Sequence, residues 1–140
     1  MLPCRWLPVK NNKNIQRISF MGFHNRVMIA DDDPGIVDFL SIMLEFNGYI
    51  VTSTLDGSTL FQLEDQLPDL LLLDIWMSGV DGRDVCKYLK ENGPTCGLPI
   101  VMLSASKDIG QSAIDAGADD FLAKPFEMSD LLAVVAKNVG

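Results

Sequence analysis

No stretch of the sequence reaches the uninterrupted apolar length that a membrane-spanning helix requires. Cysteine is scarce: Cys4, Cys86 and Cys96 are odd in number and lack paired spacing, so neither a disulfide framework nor a four-ligand zinc site is indicated. A reducing cytoplasm is the expected location, and Cys86, in helical register with Val85 and Leu89, reads as small core filler. Basic residues are also few beyond the first strand. Arg5, Lys10, Lys13, Arg17 and Arg26 precede the first acid, so a net charge of −8 for the chain becomes −13 for the part that follows. Such a surface disfavours direct binding to nucleic-acid phosphates, which depends on Lys and Arg. Internal repeats and low-complexity tracts are absent too.

At 140 residues, with 48% apolar and 21% charged side chains, the chain fits one globular domain rather than a disordered segment. Residues 1–26 carry scattered Asn and basic residues without apolar periodicity, and read as a flexible N-terminal extension. They lack the apolar core of a secretory signal, while their acid-free basic character is compatible with an organellar transit peptide. A translation start at Met21 is the alternative account of the stretch before it. Residues 27–140 are expected to form the folded domain.

From Val27 onward, short apolar runs alternate with amphipathic stretches, the pattern of an α/β fold with a doubly wound parallel sheet. Asp33–Pro34 predicts a helix start, followed by Ile36, Leu40, Met43 and Leu44 at helical spacing and a stop at Asn47–Gly48. Tyr49–Thr52 predicts a strand and Asp56–Gln66 a second helix, ended by Pro68. Leu70–Leu73 is apolar without alternation, as in a central strand covered on both faces. Further helices are predicted over Asp81–Glu91, Asp108–Ala116 and Met128–Val139, and strands over Pro99–Leu103 and Asp120–Ala123. Gly110 should weaken its helix by about 1 kcal/mol relative to Ala.

The chemistry lies just past the apolar runs. Asp31 and Asp32 follow Val27–Ala30, Asp74 follows Leu70–Leu73, Ser104 follows Ile100–Leu103 and Lys124 follows Phe121–Ala123. In an open parallel sheet these carboxyl ends face one crevice, so side chains distant in sequence converge there. Three carboxylates within about 4 Å repel by several kcal/mol per pair even at an effective dielectric near 20. A hard divalent cation offsets that, and Mg²⁺ takes carboxylates, waters and phosphate oxygens together. Protonation of one carboxyl is the other relief, and it would leave no nucleophile. Asp74 is the candidate nucleophile, Lys124 the neutraliser of phosphoryl oxygens and Ser104 a hydroxyl donor to one of them.

Five stretches in order, Val27–Pro34 (VMIADDDP), Pro68–Asp74 (PDLLLLD), Ser78–Gly82 (SGVDG), Pro99–Ala105 (PIVMLSA) and Gly117–Lys124 with Pro125 (GADDFLAKP), resemble the response-regulator receiver domain of two-component signalling. The resemblance runs from Val27 to the C-terminus. It implies a flavodoxin-like sheet of five strands in the order 2-1-3-4-5. It implies that Asp74 accepts a phosphoryl group from a histidine kinase or histidine phosphotransfer protein. Asp32, Asp74 and the backbone carbonyl of Trp76 would ligate Mg²⁺, with Mn²⁺ as an alternative ion, and Asp31 would act through water. Ser104 and Lys124 would contact the phosphoryl group, the Lys124–Pro125 bond would be cis, and Phe121 would be the switch aromatic whose ring turns inward as Ser104 moves.

On this reading the chain is a signalling phosphoacceptor, not an enzyme with an external substrate. It would act alone or as a piece of a longer protein, through docking to an unknown protein and without direct contact to nucleic acid or membrane. Two residues depart from the resemblance. Ser78 stands where proline is usual, which should loosen the loop, and Trp76 is bulkier than is common. Trp76 either shields an aspartyl phosphate from water or lies over the surface as apolar cover, while Ser106, the other residue flanking the water path, carries no acid or amide to orient it. Among rivals, a haloacid-dehalogenase-like enzyme would use Asp31, Asp33 and the late pair Asp119–Asp120, but Lys124 comes in the wrong order. A flavodoxin would need a hydroxyl-rich loop where three aspartates stand.

Overall fold

The structure, a computed structural model, describes residues 25–105 and 110–139. Five parallel strands form the sheet: β1 (Arg26–Ala30), β2 (Ile50–Thr54), β3 (Leu70–Asp74), β6 (Ile100–Ser104) and β7 (Asp120–Ala123), with a two-stranded ribbon of β4 (Trp76–Met77) and β5 (Val80–Asp81) between β3 and β6 in the chain. The sheet order is β2-β1-β3-β6-β7, which is 2-1-3-4-5 when only sheet strands are counted. Every strand pair in it is parallel. This is the flavodoxin-like receiver architecture expected from the sequence.

Alternation along the central strand divides the core. Leu71 and Leu73 face the cluster of Val85, Leu89, Met102 and Ala113, while Leu70 and Leu72 face Leu40, Leu44, Leu131 and Val135. All five residues of β3 are buried, so the LLLL run has no polar side to show. Each such leucine contributes about 1.5–3 kcal/mol by leaving water.

Helices α1 (Pro34–Phe46) and α4 (Met128–Val139) cover one face, and α2 (Gly82–Glu91) and α3 (Gly110–Asp115) the other. Asp33 caps α1 by accepting from the amides of Gly35 (2.9 Å) and Ile36 (3.4 Å), with Pro34 in the first turn. Gly48 leaves that helix at φ +93°.

Several boundaries differ from expectation. The predicted helix over Asp56–Gln66 is a 3-10 helix, Gly57–Gln62. Local hydroxyls explain it: Ser58 Oγ donates to Asp56 Oδ1 (2.7 Å) and Thr59 Oγ1 to the Asp56 carbonyl (2.8 Å), bonds that tie the chain into tight turns. The second strand runs over Ile50–Thr54, later than predicted, and the β4–β5 ribbon was not predicted. Helix α3 is described from Gly110, and Asp108 lies outside the described residues. The expected N-terminal extension also lies outside them, except for Asn25 and Arg26, and Arg26 already belongs to β1.

Candidate functional site

Parallel register places the chemistry at one edge. Asp31 follows Ala30, which pairs with Leu73; Asp74 pairs with Leu103, and Ser104 with Ala123. Ser104 is buried at the end of β6, and its carbonyl accepts from the Lys124 amide at 2.6 Å, which ties the next residue to the same edge. The Lys124–Pro125 peptide bond is cis.

Lys124 Nζ then reaches back to Asp31 Oδ2 (3.0 Å) and Asp74 Oδ1 (3.2 Å). One ammonium therefore joins two buried carboxylates, whose residues are 1% and 8% exposed. The other Asp31 oxygen accepts from the Asp33 amide (3.0 Å), which aims that carboxylate from behind. Asp32 is exposed, yet Asp31, Asp32 and Asp74 each offer an oxygen, all within 4.8 Å of one another.

Charge is unbalanced in this group. Burial first, and then the neighbouring Asp31, push the Asp74 carboxyl up to about 6 against the opposing pull of Lys124. Burial pulls Lys124 down, but its hydrogen bond to Asp31 and the charges of Asp74 and Asp31 outweigh that and raise it above its ordinary value. Three ionised carboxylates with one ammonium leave a net charge of −2. The donor set, all hard oxygens within a single ion's reach and short of two positive charges, fits a divalent cation of the Mg²⁺ kind.

Comparison with known proteins meets this geometry. Residues 27–136 match the family described as the response regulator receiver domain. The chain belongs to this family. The receiver domain is 43% identical over 113 residues to the DNA-binding dual master transcriptional regulator RpaA of Synechocystis sp., covering 79% of this chain and 47% of that protein. It is 40% identical over 111 residues to the response regulator MprA of Mycobacterium ulcerans, covering 77% and 47%. The chain thus spans about half the length of the curated relatives it matches. Among solved structures it resembles a response regulator from Chloroflexus aurantiacus (TM-score 0.77, 34% identity, covering 83% of this chain and 98% of that one). The receiver domain of a sensor histidine kinase from Pseudomonas aeruginosa, with a magnesium ion coordinated in its active-site cleft, aligns at TM-score 0.76 and 27% identity, covering 84% and 98%.

Other residues of the receiver domain fall where sequence reasoning did not put them. Ser78 was expected to loosen its loop, yet its amide donates to Asp32 Oδ2 at 2.8 Å and its hydroxyl lies 3.2 Å from the same oxygen. Gly82 opens α2 against the back of Asp74: a Cβ there would meet the Asp74 carbonyl oxygen, with Ile75 Cα and Met102 Cε at 3.0 Å. Its presence in the SGVDG stretch was the available signal. Phe121 is half-buried, and its ring stands against Gly110, where an added Cβ would come within 3.3 Å of it. The helix-weakening glycine therefore makes room for an aromatic. Trp76 is 57% exposed, and Ser106 lies outside the described residues.

Asp119 decides against the dehalogenase-like rival. Its carboxylate accepts from the Ile100 amide (2.8 Å) and pairs with Lys90 (2.7 Å), at the start of β6 and at the opposite end of the sheet from Ser104. Among the described residues, no helix is long and apolar enough to cross a membrane.

Proposed function

We propose that this receiver domain accepts a phosphoryl group on Asp74 from a histidine kinase or histidine phosphotransfer protein and thereby changes its surface for a partner protein. The observation that carries this reading is the Lys124 ammonium bridging Asp31 and Asp74 beside the exposed carboxylate of Asp32. Asp31, Asp32, Asp74 and the Trp76 carbonyl would hold Mg²⁺, with Asp31 acting through water. The ion, when bound, would draw charge from the phosphoryl oxygens.

An oxygen of Asp74 attacks phosphorus as the phosphorus–nitrogen bond of a phosphohistidine breaks, and the electron pair leaves with the imidazole, which takes up a proton. Lys124 neutralises one phosphoryl oxygen and Ser104 donates its hydroxyl to another. Drawing Ser104 toward the phosphate opens space into which Phe121 turns, and this favours one of two packings of α3 and β7. Trp76, on the ribbon directly after the acceptor strand, restricts water from the acyl phosphate and slows its hydrolysis, with Ser106 carrying no acid or amide to orient that water.

An apolar groove of about 400 Å³, lined by Ile36, Phe39, Ala105, Lys124, Pro125 and Phe126, opens beside Lys124 and supports approach of the donor over α1. Labelling with acetyl phosphate tests the reading. The parent should take up one phosphoryl group only with Mg²⁺, and Asp74→Ala none; Mg²⁺-independent labelling, or labelling of the variant at the parent's level, defeats it.

A further inference from the structure

Ser78 and Gly79 form the two-residue loop between β4 and β5, with Trp76 paired to Asp81 and Met77 to Val80. Both loop residues have positive φ, +49° and +79°, which makes this a type I′ turn. Glycine occupies such a position without strain, whereas serine does so against the preference of its Cβ. Proline cannot adopt this φ, because its ring holds φ near −65°.

The turn aims a donor pair across the site. Ser78, 46 positions away in the chain, presents its amide (2.8 Å) and its hydroxyl (3.2 Å) to a single oxygen of Asp32. Asp32 is the exposed member of the acidic trio, and so it is the one whose side chain would otherwise sample several rotamers. Holding Oδ2 from the ribbon side leaves Oδ1 as the atom to be offered to a cation shared with Asp31 and Asp74.

We infer that Ser78 is a positioning residue that orients Asp32 and so sets the divalent-cation affinity of the site. This rests on the proposed function, since it takes the trio to be a cation site. Partners of this kind, which fix a ligand without touching the metal, are commonly worth about 10- to 100-fold in metal affinity.

Calorimetric titration of Mg²⁺ into the full chain tests the assignment. Ser78→Ala keeps the amide and loses the hydroxyl, and should weaken binding about three- to tenfold, while the metal-free melting temperature stays at the parent's value. Ser78→Pro loses both donors and should weaken binding about 10- to 100-fold. Unchanged Mg²⁺ affinity in Ser78→Ala overturns the inference, whether or not the proline variant folds. So does a fall in metal-free stability without a change in affinity, which marks a turn residue and nothing more. A parent that binds no Mg²⁺ overturns the cation reading of the trio and this inference with it.

Discussion

Asp74 holds its proton to a higher pH than a carboxyl in water because burial and Asp31 penalise its charge more than Lys124 rewards it. The sign for stability follows from proton uptake. Between the ordinary value of 3.8 and about 6 the folded state keeps a proton that the unfolded chain has released, so metal-free stability falls as pH rises through that window. A shift of about two units corresponds to at most about 3 kcal/mol. Asp74→Asn should therefore stabilise the metal-free protein by up to that amount at pH about 7.5, and hardly at all near pH 4. Urea denaturation in chelator at both pH values checks this, and an equal effect at the two would contradict it. Mg²⁺ needs the ionised carboxylate, so its affinity should fall by up to tenfold per pH unit below about 6. At the same scale, Trp76→Asn should speed loss of the acyl phosphate, measured after the donor is removed; an unchanged or slower rate would identify the indole as surface cover only.

Elements meet at the site with little slack. The first turn of α2 lies directly against β3 because Gly82 has no side chain to hold them apart, and its amide donates to the Ile75 carbonyl at 2.7 Å. Gly82→Ala should cost about 1–3 kcal/mol through overpacking, and should displace Asp74 enough to depress acetyl-phosphate labelling. Thermal melts and labelling made together would show it, and a variant normal in both would refute the tight contact. Helix α1 exposes Phe39, Ile42 and Phe46 at successive spacings of three and four residues, and Phe39 lines the groove beside Lys124. Ile42→Lys should therefore slow transfer from a phosphorylated histidine phosphotransfer protein and leave acetyl-phosphate labelling alone. Equal effects on both donors would place Ile42 in the fold rather than in docking.

For the whole molecule, the acidic edge is a weakness of the metal-free state, and on the proposed function a bound cation would turn it into a source of stability. Anything that binds only the folded form stabilises it by mass action, about 2.7 kcal/mol at 100 times the dissociation constant. Saturating Mg²⁺ should raise the melting temperature by several degrees, and NaCl at matched ionic strength should not. An equal response to the two salts would mean general screening in place of a bound ion.

Much of the fold was legible from local pattern, because the forces that decide it act on neighbours. Leu70–Leu73 has no polar member and so requires cover on both faces, and Asp33–Pro34 starts α1 through a cap and a fixed φ. The strand-end positions of Asp31, Asp74, Ser104 and Lys124 were legible for the same reason, since each terminates an apolar run. The hydroxyls that turn Gly57–Gln62 into a 3-10 helix compete with a pattern that otherwise reads as α-helix, and two-residue strands such as β4 and β5 have no period to read. Sequence by itself determined the alternation of sheet strands and helices through periodicity, apart from the 3-10 segment and the β4–β5 ribbon, and pointed to the strand order and the family through ordered motifs. Tertiary structure alone decided that a backbone amide at Ser78 faces Asp32, that Gly82 sits beneath Asp74 and that Asp74 resists ionisation, because these depend on distances and burial between segments far apart in the chain.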